Sequence, residues 1–209
     1  MRRSLKIRPN NTASELVVEH VATANLPTQY GHFRIWAFTS NLNGKEHVAL
    51  VCGDVDGAED VLTRVHSECV TGDVFASLKC DCGEQLHQAM QDIVAAGRGV
   101  LLYMRQEGRG IGLANKIKAY SLQDQGMDTV EANLHLGFDD DMREYDVAGR
   151  MIELLGIKSV TLMTNNPKKV DGLEAAGVIV SDRIPIKILA NPFNTNYLNV
   201  KKNKSGHLL

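Results

Sequence analysis

Cys69, Cys80 and Cys82 are the residues of this chain best suited to metal chemistry. Ten residues separate the first from a Cys-Asp-Cys pair in the stretch SECVTGDVFASLKCDCGEQ. Zinc binds the thiolate form of cysteine, and the pair falls at the expected start of a helix, where backbone N–H dipoles favour a deprotonated sulfur. A closed structural zinc site normally shows four ligands in two close pairs, whereas three protein ligands plus a water is the catalytic pattern. No second pair lies nearby, which favours the open arrangement; buried free thiols are the competing reading. Three thiolates outweigh the charge of a zinc dication, so acid–base groups should assist any bound water. The signature of the zinc base deaminases, His-x-Glu together with Pro-Cys-x-x-Cys, is not complete, since no Pro-Cys-x-x-Cys occurs. The fourth cysteine, Cys52 in VALVCGDV, lies in an apolar run and reads as a small buried side chain.

Polar groups cluster around this core. Directly before Cys69, the segment RVHSE would alternate along a strand, with Arg64, His66 and Glu68 on one face and Val65 and Ser67 on the other. The loop RQEGRGIG sets Arg105, Glu107 and Arg109 among three glycines. Glycines let a backbone approach a ligand, and arginines can fork onto phosphate oxygens, although a tight turn is the ordinary reading of such a loop. It is not a Walker sequence. GFDDDMREYD gathers Asp139, Asp140, Asp141, Arg143, Glu144 and Asp146 ahead of a helix, either as caps and dipole partners or with Asp141 and Arg143 as an activated pair. MTNNPKKVDG places Thr164, Asn165 and Asn166 at a strand end, with Lys168 and Lys169 in the first turn of the following helix. Lysines there oppose the helix dipole and serve an anion better than they serve stability.

The elements that must position these groups follow from periodicity. Short β-branched and aromatic segments, LVVEHVATANL, GHFRIWAF and KEHVALVCGDV, are parted by the turn-forming PTQYG and SNLNG and predict an antiparallel meander. VLTRVHSE is expected to continue it as a further strand. From Cys82 the period changes: Leu86, Ala89, Met90, Ile93 and Val94 recur at helical spacing until Gly97. Then GVLLYMRQ reads as a strand, LANKIKAYSLQDQG as a helix, REYDVAGRMIELLG as a helix, IKSVTLMT as a strand, NPKKVDGLEAAG as a helix and VIVSDRIPI as a strand. The fold class expected is α/β (α+β), an N-terminal antiparallel β region followed by alternating strands and helices. Residues 1–15 read as a flexible leader and 16–209 as a single catalytic domain, a length at which burial sustains a core without staples.

Composition narrows the function. A hydrophobic content of 44% and a charged content of 23% are those of a soluble globular protein. A net charge of -2 argues against generic nucleic-acid binding, so any polyanionic ligand should be small. No apolar run approaches a membrane span, and the N-terminus lacks the apolar middle of a signal peptide, so no membrane partner and a cytoplasmic location are expected.

Taken together, RVHSECVTGDVFASLKCDCGEQL, YMRQEGRGIGLANKIKAYSLQDQG, LGF and LMTNNPKK closely resemble GTP cyclohydrolase II, over nearly the whole chain from about Ala22. Bifunctional relatives carry an additional N-terminal domain; at this length the chain resembles the monofunctional form. The resemblance implies hydrolysis of GTP to 2,5-diamino-6-(5-phosphoribosylamino)pyrimidin-4(3H)-one with release of formate and pyrophosphate, opening riboflavin biosynthesis. It implies Zn2+ on Cys69, Cys80 and Cys82, and Mg2+ with the GTP phosphates. It also implies substrate contacts from Arg64, Val65, His66, Ser67, Glu68, Gln85, Glu107, Gly108, Arg109, Thr129, Thr164 and Lys169. Asp141 is implied as proton acceptor, Arg143 as nucleophile at the α-phosphorus and Tyr120 as support for the ring chemistry. A guanidinium stays protonated near neutrality, so charge stabilisation in the transition state is a second role open to Arg143. A homodimer is implied as well. The rival readings are a paralogue that stops at a formylated, ring-opened intermediate and a zinc-stabilised nucleotide-binding regulator without turnover.

Overall fold

Seven strands form one mixed sheet in the order β1-β2-β3-β5-β4-β6-β7. They are β1 (Val18–Thr28), β2 (Gly31–Ser40), β3 (Glu46–Cys52), β4 (Val61–Ser67), β5 (Gly99–Met104), β6 (Val160–Met163) and β7 (Val180–Ile184). The helices are α1 (Val70–Asp73), α2 (Cys82–Ala96), α3 (Leu113–Asp124), α4 (Thr129–His135), α5 (Asp146–Leu154), α6 (Pro167–Ala175) and α7 (Thr195–Asn203). The computed structural model describes residues 16–42, 44–139 and 141–208, and the leader expected over 1–15 lies outside them.

The expected antiparallel region is present as β1, β2 and β3, with β5 antiparallel to β3 at its inner edge. The expectation for VLTRVHSE needs correction: β4 does not extend the meander but lies between β5 and β6, parallel to both. The reason is burial. Thr63, Arg64, Val65 and His66 are all buried, and a strand covered on both faces needs helical crossovers, which are the connections of parallel strands. Both faces are covered because the crossovers divide between the two sides. Helix α2 packs Ala89, Met90 and Ile93 onto the face of Phe33, Leu50 and Leu101. Helix α5 packs Val147, Ala148, Met151 and Ile152 onto the face of Val65, Val100 and Leu102, and Leu173 of α6 joins it there. Strand β4 is thus where the crossovers diverge, and ligands of open α/β sheets bind beyond the strand ends at such a point.

Local chemistry explains most boundaries. Gly97 ends α2 in the left-handed conformation (φ 71°), as its position after the apolar stripe requires. Helix α6 starts with Asn166, whose side chain accepts from the Lys168 N–H, and with Pro167 in the first turn. Helix α5 starts at Asp146, three residues later than expected, because Asp141 binds Arg143 instead of capping the helix. Helix α4 escapes the apolar-period reading yet carries a capping box, Asp128 with Glu131. Cys52 is half-buried against the α2-side core, in keeping with a packing role. Among the described residues, no helix is long and apolar enough to cross a membrane.

One buried titratable group in β3 gives the fold a pH dependence. His47 is 2% exposed, and burial, reinforced by the charges of Lys45 and Arg105, lowers its pKa from 6.5 to about 4. Above pH 6.5 it is neutral whether the chain is folded or not. As pH falls from 6.5 toward 4, the unfolded chain takes up a proton that the folded one refuses, so stability is lost, by about 3 kcal/mol for a depression of this size. Urea midpoints of His47→Gln should therefore fall less between pH 7 and pH 4 than those of the native chain; parallel curves would count against this cause.

Candidate functional site

Strands β4, β5 and β6 deliver their C-terminal ends to one cavity, of about 1070 Å³ including its open mouth. Its floor is the thiol cluster. Cys69 follows β4, Cys80 and Cys82 flank the N-cap of α2, and the three sulfurs lie within 4.8 Å of one another. The Cys69 and Cys80 sulfurs are 3.8 Å apart. Tetrahedral zinc with bonds of about 2.3 Å sets its sulfur ligands about 3.8 Å apart, so the donor set fits such an ion in chemistry and in spacing.

Gly72 makes this convergence possible. A Cβ there would stand 2.9 Å from the Cys80 sulfur, 3.1 Å from Cys82 Cβ and 3.3 Å from the Cys69 sulfur. Gly72→Ala should therefore cost the protein most of its bound metal while leaving the sheet intact. Metal content of the purified variant, set beside its circular dichroism, checks this, and a full complement of metal would show that the cluster tolerates the methyl group.

The charge of the cluster is balanced from α3. Lys116 Nζ lies 3.1 Å from the Cys69 sulfur and 2.8 Å from Glu107 Oε1. Burial opposes its charge, but Cys69 and Glu107 outweigh that and hold its pKa above the usual lysine range. Cys69 is kept as a thiolate by hydrogen bonds from Cys80 and Cys82, with Lys116 adding to the effect; sharing with Cys69 pushes the Cys80 thiol up to about 11. Glu107 also accepts from the Val70 and Gly108 N–H groups, tying the β5 loop to the thiol loop. Tyr120 reaches the same place, with its hydroxyl 3.4 Å from Thr71 Oγ1.

On β4 the expected alternation holds for Arg64, Val65 and His66, with Arg64 and His66 lining the cavity, but Ser67, expected on the opposite face, lines the cavity too at the end of the strand. His66 Nε2 donates to Asp73 Oδ1 at 3.1 Å, because a carboxylate can only accept. That fixes the tautomer: Nδ1 is an acceptor, buried and without a partner among the described residues. Asp73 is itself held by Tyr103 Oη (2.8 Å) and by the Cys69 N–H (2.9 Å). Arg64 donates to the Met163 carbonyl and to Gln85 Oε1, Gln85 donates to Asp81, and Asp81 accepts from Lys201 of α7. This chain of bonds runs from the central strand through the Cys-Asp-Cys pair to the C-terminal helix.

The cationic wall lies opposite. Lys169 Nζ donates to the Val65 carbonyl at 2.7 Å, and burial, together with the charges of Arg64 and Arg143, holds its pKa well below the usual lysine value. An anion would reverse that shift. Arg143 makes a bidentate pair with Asp141, at 2.7 Å from Nε and 2.5 Å from Nη2, and its Nη1 is 3.5 Å from Ser67 Oγ. Burial opposes the guanidinium charge, yet the Asp141 carboxylate outweighs it and raises the Arg143 pKa, while Asp141 is held below the usual carboxylate range. Gly108 and Arg109 both sit at positive φ (63° and 58°), and Arg109 Nη1 reaches Ser205 Oγ beyond α7.

The structure thus gathers Arg64, His66, Ser67, Glu68, Gln85 and the three cysteines in one cavity, with Glu107, Gly108, Arg109, Tyr120, Thr129, Arg143, Thr164 and Lys169. Two of the sequence candidates stand apart. Val65 packs its side chain into the core on the opposite face and meets the site only through its carbonyl. Asp141 lies behind Arg143, outside the cavity wall. Sequence reasoning missed Lys116, Asn133, Tyr197, Lys201 and His207, which also line the cavity. Only Lys116 carried a signal, as a lysine one helical turn before Tyr120 on a helix entered from the glycine loop.

Convergent thiols and a cationic wall at the switch point of a mixed sheet define an α/β protein with a metal-competent, positively lined cavity. The chain belongs to the GTP cyclohydrolase II family, whose sequence profile matches residues 19–185. It is 56% identical to a GTP cyclohydrolase-2 of Haemophilus influenzae, over 92% of this chain and 89% of that one. A GTP cyclohydrolase-2 of Azotobacter vinelandii is also 56% identical, over 92% of both. The riboflavin biosynthesis protein RibBA of Bacillus subtilis is 55% identical over 92% of this chain, which spans only 49% of that relative's length.

Proposed function

We propose that this chain hydrolyses GTP to 2,5-diamino-6-(5-phosphoribosylamino)pyrimidin-4(3H)-one, formate and pyrophosphate, the first step of riboflavin biosynthesis. The observation that carries the reading is the presence, in one cavity, of a three-thiol cluster spaced for zinc and a wall of buried cations suited to a triphosphate. Family membership supplies the substrate.

Cys69, Cys80 and Cys82 would hold the Zn2+, which when bound supplies Lewis acidity for activating water toward an electron-poor imidazole carbon and the formamide it leaves. The other roles belong to side chains. His66 Nδ1, fixed as an acceptor by Asp73, takes a hydrogen bond from the purine, with Ser67, Glu68 and Gln85 around it. Lys169, Arg109 and Arg64 meet phosphate oxygens, with Thr129 and Thr164 at the edge of the same cavity. Arg143, kept charged by Asp141, stabilises charge developing on the α-phosphoryl group, a role its raised pKa favours over that of nucleophile. Tyr120 stands over the thiol loop, placed to orient the ring. Mg2+ would enter with the phosphates and offset their charge. The exposed Val74, Phe75 and Leu134 offer apolar surface to a second copy, and a homodimer in the cytoplasm is the state we propose.

Incubating the purified chain with GTP, Zn2+ and Mg2+ tests the reading. Formate and pyrophosphate in equal amounts are expected. A formamide without free formate would mean that ring opening is the last step, and unchanged GTP would leave only a nucleotide-binding role.

A further inference from the structure

Helix α7 lies beyond the stretch that the family profile matches, yet Tyr197 and Lys201, one turn apart on it, line the GTP cavity. The segment after Lys201 is fastened to the same surroundings. The Leu208 N–H donates to the Asn165 carbonyl at 2.8 Å, and Arg109 Nη1 donates to Ser205 Oγ at 3.4 Å. Lys204 pairs with Asp128, the N-cap of α4 beside Thr129. At the centre, Lys201 Nζ lies 2.9 Å from Asp81 Oδ1 and 4.4 Å from the centroid of the Tyr197 ring. Both members of that ion pair are buried.

Stability does not explain such a pair. Taking two charges out of water costs about what their attraction returns, and an apolar pair of similar volume would serve the fold as well. What an apolar pair could not do is orient the groups that follow. Asp81 Oδ2 accepts from Gln85 Nε2 at 2.6 Å, and Gln85 Oε1 accepts from Arg64 Nη2 at 2.5 Å. Both ends of the Gln85 amide are thereby committed, which fixes its orientation and that of the guanidinium. Without Lys201, the Asp81 carboxylate would stand uncompensated behind Gln85 and Arg64, both of which line the cavity. Its negative charge would then oppose the arginine that a triphosphate needs.

We propose that Lys201 is a positioning residue of the substrate site, which neutralises Asp81 and so keeps Gln85 oriented and the charge of Arg64 available to the triphosphate. For its substrate the inference rests on the GTP reading; for its residues it rests on the chain of bonds from Lys201 through Asp81 and Gln85 to Arg64. Helix α7 thereby takes part in substrate binding.

Lys201→Met in the full, Zn2+-loaded chain tests this. Its KM for GTP should rise about tenfold or more with kcat changed far less, because the binding it loses is shared by ground and transition states. Calorimetry with inorganic tripolyphosphate should show the same loss of affinity. Adding Asp81→Asn should bring both values back to within about threefold of native, because the double variant removes ammonium and carboxylate together. A direct phosphate ligand, or a simple anchor for α7, would not be rescued in that way. An unchanged KM in Lys201→Met, or a double variant no better than the single one, would therefore overturn the proposal. If Lys201→Met does not fold, a double variant that folds and binds tripolyphosphate at native affinity supports it, and one that stays unfolded or binds weakly overturns it. Native protein that binds tripolyphosphate without turning over GTP would count against the GTP reading alone, and the tripolyphosphate measurements then decide this inference. Native protein that binds neither would sink both.

Discussion

Cys80→Ser should abolish formate release while pyrophosphate release from GTP remains measurable. The three sulfurs lie within 4.8 Å of one another, and each supplies one of the three protein ligands available to a metal there. A serine hydroxyl is neutral near pH 7 and a poor zinc ligand, so the remaining pair would hold the ion weakly. A Lewis acid supplies several kcal/mol of charge stabilisation, and its loss lowers the rate of ring opening on the order of a thousandfold. Phosphoanhydride cleavage draws instead on Arg143, in the loop before α5, and Lys169, in α6, which keep their partners Asp141 and the Val65 carbonyl. Exchanging one buried sulfur for oxygen leaves the N-cap of α2 in place, so circular dichroism should be unchanged. Quantifying formate, pyrophosphate and metal on one preparation checks all three statements. Formate released at the native rate by this variant, or by chelator-treated protein, would remove the metal from the reaction.

How much of this was legible in the sequence depended on whether a residue's partners were near it in the chain. Helix α2 and its stop at Gly97 could be read locally, because the apolar stripe and the glycine signal are properties of a few adjacent turns. The thiol cluster was legible for the same reason, since all of its members fall within a short span. Strand β4 is legible as a strand, but its place between β5 and β6 is not. Arg64 and His66 look like a solvated face until Gln85, Asp73 and the Met163 carbonyl are brought onto them, and those partners lie in three other segments. Asp81 gives the sharpest case. Between two cysteines it reads as a spacer, yet it is buried and ion-paired with Lys201, 120 residues away, on a helix whose apolar pattern is too weak to announce it. Lys116 carries only the weak signal of its place one turn before Tyr120, because its partner Cys69 comes from the loop after β4. Asp141 and Arg143 were visible as a pair, but not their preference for each other over capping α5.

That preference sets the second large effect. Arg143→Ala should lower pyrophosphate release on the order of a thousandfold, the scale at which charge-stabilising arginines contribute to phosphoryl transfer. The guanidinium is buried and fixed by a bidentate carboxylate, with Nη1 toward Ser67 at the end of β4, so it needs no reorganisation to meet an α-phosphoryl oxygen. Two roles give different results. A nucleophilic arginine must lose its proton and pass through a covalent phosphoramidate, which rapid quenching with α-labelled GTP would trap on Arg143. A stabilising arginine leaves no label on the protein. Arg143→Lys then retains part of the activity, because a point charge replaces the fork imperfectly. Burial opposes the Arg143 charge, but the carboxylate of Asp141 outweighs it and raises the pKa, so the guanidinium holds its proton near neutrality and above. We therefore expect no labelled intermediate and pyrophosphate release that shows no alkaline rise attributable to Arg143. Asp141→Asn, which releases the guanidinium from its bidentate hold, should cost on the order of a hundredfold in kcat with a smaller change in KM, since what it loses is orientation of a charge felt in the transition state. Label recovered on Arg143 would reverse the assignment and make Asp141 its base.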